Sequence, residues 1–95
     1  MHEVAKARYY KVERIIADGK QQIRVEERWL LLFNDSLHTK HRRFVLEDVY
    51  DVSCRMTGED MGMLYLHTKQ GVFMYSIKEK PQPFIAAYKQ LKTGN

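Results

Sequence analysis

Apolar and polar positions alternate with a period of two through most of this 95-residue chain, most clearly in its last third. Met63-Leu64-Tyr65-Leu66-His67-Thr68 reads as a strand, Lys69-Gln70-Gly71 interrupts it, and Val72-Phe73-Met74-Tyr75-Ser76-Ile77 resumes it. That pattern predicts a hairpin. Upstream, Arg8 to Ala17 reads as a first strand with Tyr10, Val12 and Ile16 on one face. It runs into Asp18-Gly19, where a type I′ turn needs positive φ that Asp tolerates and Gly adopts freely. Gln21 to Glu27 then returns as a strand, with Ile23 and Val25 expected to face inward. Trp29-Leu30-Leu31-Leu32-Phe33 is continuously apolar and predicts a strand covered on both faces. Asn34-Asp35-Ser36 ends it with turn formers, and Leu37 to Phe44 reads as a polar, basic strand. In the next strand Tyr50, Val52, Cys54 and Met56 alternate with Asp51, Ser53 and Arg55, which places Cys54 among the apolar residues.

The pattern changes once, after Pro81. Pro81 and Pro83 suit the first turn of a helix, where a missing N–H costs nothing. Phe84, Ile85, Tyr88 and Leu91 then recur at helical spacing and form one stripe, while Lys89 and Lys92 point elsewhere. A helix over 81–92 is too short to stand alone in water, so the stripe must pack on the sheet. The expected fold is mainly β with one C-terminal α-helix. It is a bent antiparallel barrel of about seven strands capped by that helix. No linker divides residues 1–95, which read as one domain with a frayed N-terminus over residues 1–7.

Composition narrows the function more than it names it. A hydrophobic fraction of 44% and a charged fraction of 29% are those of an ordinary globular domain, not of a disordered chain. The single cysteine, Cys54, leaves no internal disulfide and indicates a reducing compartment. No apolar run reaches the length of a signal peptide core or of a membrane span, so a cytoplasmic location is expected. A net charge of +4 favours anionic surfaces only mildly. Ser36, Ser53 and Ser76 lack a glycine-flanked elbow, Glu26-Glu27 and Glu47-Asp48 read as turn and surface residues, and no glycine-rich phosphate cradle is present. His38 and His41 lie three apart, which sends them to opposite faces of a strand. The expectation is therefore no enzyme, no metal and no cofactor.

Two surfaces remain as candidates. Lys40-His41-Arg42-Arg43, with Lys20 as a further positive position, is suited to phosphate groups, acidic lipid heads or an acidic partner, since Arg offers a bidentate fork to such anions. The competing reading is a solvated edge whose charge discourages sheet-to-sheet aggregation. With Leu64 and Leu66 pointing inward, Met61, Met63 and Tyr65 share the opposite face, and Met74 extends it from the next strand. That patch is either an adaptable partner surface or a face covered by the helix. No motif for reading RNA or DNA accompanies either cluster.

Two segments carry a resemblance. Trp29-Leu30-Leu31-Leu32-Phe33-Asn34-Asp35-Ser36-Leu37 is similar to an apolar strand, short polar turn and following strand of the pleckstrin-homology-like (PH/GRAM-like) barrels, above all their bacterial members. Phe44-Val45-Leu46-Glu47-Asp48-Val49-Tyr50-Asp51-Val52 resembles the apolar, acidic, apolar approach to the fifth strand in that family. The resemblance implies a binding or scaffolding role, with protein–protein interaction or self-association first and attachment to acidic lipid at the inner membrane face as the alternative. Family members that bind phosphoinositides use basic residues flanking the first hairpin. Here Lys11, Lys20 and Arg24 occupy that region, but the usual second-strand basic pair is absent and Glu26-Glu27 follow instead.

Overall fold

A computed structural model describes residues 2–93. Strands β1 (Ala5–Ala17), β2 (Lys20–Leu32), β3 (Ser36–His38) and β4 (Arg43–Val45) precede a single 3₁₀ turn at Leu46–Asp48. Strands β5 (Val49–Met56), β6 (Gly62–Thr68) and β7 (Gly71–Ile77) follow, and helix α1 (Gln82–Thr93) closes the chain. The seven strands form one sheet in the order β4-β3-β2-β1-β7-β6-β5, and every neighbouring pair is antiparallel. The sheet is not closed, and β4 and β5 are its edges.

The core lies on one face of this bent sheet. Ala7, Tyr9, Leu30, Leu32, Leu37, Phe44, Val52, Leu64, Leu66 and Ile77 are buried there and meet Phe84, Ile85 and Tyr88 from α1. The helical stripe therefore packs as its spacing predicts, with Leu91 half-buried at its end. Tyr88 donates its hydroxyl to the Val49 carbonyl at 2.8 Å, and Lys92 Nζ donates to the Leu46 carbonyl at 3.0 Å. These two bonds tie the helix to the 3₁₀ turn and to the first residue of β5. Burial pushes the Tyr88 phenol up to about 12, so it stays a donor across the physiological range.

The strand boundaries differ from the sequence reading at four places. Residues 20–32 form one strand, where a break near Arg28 is expected from the pattern. The basic segment expected to be one strand instead makes two three-residue strands around a turn at residues 39–42, so the count of seven survives. That turn is held by Thr39, whose hydroxyl accepts from the Arg42 N–H at 2.9 Å. Third, β1 begins at Ala5, with Ala5 to Ala7 paired to Leu32 to Leu30, so the expected fraying does not extend over those three residues. Fourth, a bulge between Val49 and Asp51 turns Tyr50 out to solvent, although its parity with Val52 suggests the core.

The largest departure is the β1–β2 hairpin. Asp18 (φ 53°) and Gly19 (φ 73°) form the tight turn expected of Asp-Gly, and they fix the register so that Val12 pairs with Val25. Neither strand has a second neighbour over the rungs from Lys11–Glu26 to Ala17–Lys20. Those seven rungs project from the body by roughly 20 Å at about 3.4 Å per residue. The molecule is accordingly 54 Å long but only 27 × 25 Å in section. Ile23 and Val25, expected inside, are 67% and 53% exposed, and Val12 and Ile16 on the partner strand are 52% and 80% exposed. They lie on the face opposite the core because Leu30 and Leu32 have the other parity in the same continuous strand. Trp29 faces outward too, so the apolar run is covered on one side only.

Gly62 pairs with Met56 at the end of the β5–β6 ladder and leaves no room for a side chain. A Cβ there would lie 2.5 Å from Met56 Sδ and 2.8 Å from the Arg55 carbonyl oxygen. Gly62→Ala is expected to lower stability by about 1 to 3 kcal/mol, since backbone cannot swing aside as a side chain can. Thermal melts of the two proteins check this, and an unchanged midpoint refutes it.

Candidate functional site

Two surfaces combine exposure with organised chemistry, and both arise from the place where the hairpin arm leaves the body. The first is the outer face of the arm. Its rows, from base to tip, are Arg8–Trp29, Tyr10–Glu27, Val12–Val25, Arg14–Ile23 and Ile16–Gln21. The base is rigidified by charge and aromatic stacking. Lys6 Nζ and Arg8 Cζ each sit 4.8 Å from the Trp29 ring centre, Arg8 also pairs with Glu27 at 3.1 Å, and Lys78 Nζ lies 4.4 Å over Tyr10. Toward the tip Val12, Val25, Ile23 and Ile16 are exposed beside Arg14 and Gln21.

This face continues across the sheet. Tyr10 pairs with Ser76 of β7, so Val12 and Met74, each two residues further along, share the outer face. The expected methionine patch is assembled there: Tyr65 pairs with Met74 and Met63 with Ser76, while Leu64 and Leu66 point into the core. Met61 lies just before β6 and is exposed, as is Met74, whereas Met63 and Tyr65 are half-buried. The helix packs on the opposite face with the core and does not cover the patch.

The second surface is a cleft. Beyond the single bridge at Tyr10 and Ser76, β1 and β7 diverge and enclose about 450 Å³. Tyr9, Phe73 and Tyr75 contribute aromatic surface, with Tyr9 and Tyr75 meeting edge to face at 4.9 Å. Lys11, Arg28, His41 and Arg42 also line the cleft, and no carboxylate does. Arg42 holds its guanidinium 4.7 Å over Phe73. Burial raises the Tyr75 phenol to about 12, which keeps its hydroxyl protonated.

The positive cluster read from sequence is therefore divided. His41 and Arg42 face the cleft. Lys40 turns away and its ammonium pairs with Glu26, which also accepts from Arg28 at 3.1 Å. Arg43 is exposed on β4, opposite His38. Lys20 stands beside the turn at the tip of the arm, the far end from the others. His38 shares a hydrogen bond of 3.0 Å with Ser36 and His67 one of 3.2 Å with Ser53, on different strands. Lys11 and Arg28 are the cleft cations that a search for basic runs misses. Only the hairpin register, which pairs Tyr9 with Arg28 and Lys11 with Glu26, would have brought them together.

Glu26 is the electrostatic centre of the arm's base. Hydrogen bonds from Arg28 first and Lys40 second draw its carboxyl down from an ordinary 4.5 to about 2. Because the folded value is depressed, the stabilisation is complete above the ordinary carboxylate range and is lost as pH falls through about 2. A carbon-13 carboxyl titration should place the midpoint near 2, and Lys40→Ala should move it upward. A wild-type midpoint at 4.5 would show that the pairs do not form in solution.

No family model, no curated protein and no solved structure matches this chain. Among the described residues, no helix is long and apolar enough to cross a membrane.

Proposed function

We propose that this chain is a non-enzymatic interaction module of pleckstrin-homology-like architecture that associates with a second copy of itself through the outer face of the β1–β2 arm. The architecture is supported by the antiparallel strand order and by the C-terminal helix seated on the core. The observation that carries the function is the group of Val12, Val25, Ile23 and Ile16, exposed on a hairpin that no third strand flanks among the described residues. Two-stranded ribbons are marginal in water unless something packs on them. An exposed aliphatic face of this kind marks an interaction site.

The face is complementary to itself. Stacking two arms antiparallel about their Val12–Val25 rows sets the Arg14–Ile23 row of one copy against the Tyr10–Glu27 row of the other. Arg14 then meets a carboxylate and an aromatic ring, and by two-fold symmetry the same contacts form twice. Sedimentation equilibrium from about 1 μM to about 1 mM tests this, since it spans free energies of about 8 to 4 kcal/mol. The expected result is a rise from one chain mass toward two. A single-chain mass throughout overturns the proposal.

Attachment to acidic lipid through Lys20, Lys40, His41, Arg42 and Arg43 is the weaker reading. Those groups point in different directions, Lys40 is already neutralised by Glu26, and surface attraction to lipid needs several charges on one side.

A further inference from the structure

The cleft between β1 and β7 has a character distinct from the arm's outer face. From Lys11 onward β1 has β2 on one side only, and from Tyr75 back to Gly71 β7 has β6 on one side only. Two strand edges thus flank the cleft with backbone N–H and C=O groups that no neighbouring strand takes up. Such edges are templates for an added strand.

The side chains specify what kind of strand. Four basic residues and no acidic one line the space, so it favours negative charge. Arg28 is mostly buried, and its Nε has no hydrogen-bond partner among the described residues, although Nη2 is satisfied by Glu26. A buried guanidinium N–H without an acceptor is costly, and a carboxylate entering the cleft would supply one. Tyr9, Phe73 and Tyr75 offer apolar surface between the cations. An extended chain presents alternate side chains to opposite faces, so carboxylates on one face meet the cations while the backbone satisfies the strand edges.

We infer that the β1–β7 cleft binds an extended acidic peptide segment, which adds as a strand beside Lys11–Glu13 or Val72–Tyr75 and places its carboxylates against Arg28, Arg42 and Lys11. A free anion would use the same cations but would not need the strand edges, and that difference decides the test.

The experiment is a nitrogen-15 NMR titration of the whole chain carrying Ile16→Thr and Ile23→Thr, so that arm association does not enter the measurement. The probe is a capped ten-residue peptide alternating Glu and Val. Comparison titrations use the same peptide with Lys for Glu, the acidic peptide N-methylated at alternate residues, inorganic phosphate, and vesicles of mixed neutral and acidic phospholipid. The expected result is saturable shifts of the amides of Lys11–Glu13 and Val72–Tyr75 with the acidic peptide. N-methylation should weaken binding tenfold or more, and Arg42→Glu, at an exposed position that the fold tolerates, should do the same. The Lys peptide should give no response. Absence of shifts with the acidic peptide overturns the inference. So does equal binding of the N-methylated peptide, which would reduce the site to a charge sink. Stronger response of the same amides to phosphate or to acidic vesicles would assign the cleft to phosphate groups and overturn it as well.

Discussion

Phe84→Ala is expected to remove about 3 to 5 kcal/mol of unfolding free energy. Phe84 is 1% exposed and is the largest fully buried side chain of the domain. It lies in the first turn of α1 and belongs to the same buried cluster as Leu30, Leu64 and Leu66. Truncation loses the transfer energy of the ring and leaves a cavity that a sheet on one side and a helix on the other cannot easily close. The helix has little stability of its own at 12 residues, so loosening this contact also strains the Tyr88 bond to Val49. A domain of this size holds only about 5 to 15 kcal/mol in total, and the variant should melt more than about 10 °C lower. Denaturant titration measures the change directly. A loss below about 1 kcal/mol would mean that α1 does not pack as described.

The second large effect concerns association and leaves folding alone. Ile16→Thr with Ile23→Thr keeps two β-branched residues on the arm but replaces two aliphatic surfaces with hydroxyls. Both positions are exposed, so thermal stability of the single chain should change by no more than about 0.5 kcal/mol per site. In a two-fold dimer each change occurs twice. Fully burying an isoleucine is worth about 1.5 to 3 kcal/mol, and the loss of even half that at four places amounts to more than about 2.7 kcal/mol. The variant should therefore associate at least about a hundredfold more weakly. A dimer of unchanged strength would move the interface off the arm, and a variant that unfolds would show that the arm is braced by the body after all.

Most of the architecture was legible because it depends on local chemistry. Asp18-Gly19 specifies its turn, the 63–77 hairpin follows from alternation, and the helix follows from one change of period. The arm departs from its sequence pattern for a physical reason. The sequence places Ile23 and Val25 at odd positions and Leu30 and Leu32 at even ones, and both pairs look like core. Breaking the strand near Arg28 resets the parity and lets all four face inward. In the continuous strand they must face opposite ways, and the core takes the leucines because α1 covers that side. Burial is decided by which face acquires a second layer, which is a property of the whole chain. The cleft is only partly legible for a related reason, since the basic run at residues 40–43 contains His41 and Arg42 whereas Lys11 and Arg28 come from β1 and β2.

The bridge between Tyr10 and Ser76 also marks a boundary in opening free energy. Inward of it, Leu64 and Leu66 are fully buried, and their amides are expected to exchange with solvent deuterium only when the domain unfolds as a whole. Outward of it, the ladder from Lys11 to Ala17 can fray from the Gly19 end without disturbing a single core side chain. If the arm associates as proposed, its protection should rise most on contact, and exchange rates along β1 would give a readout of occupancy that needs no label.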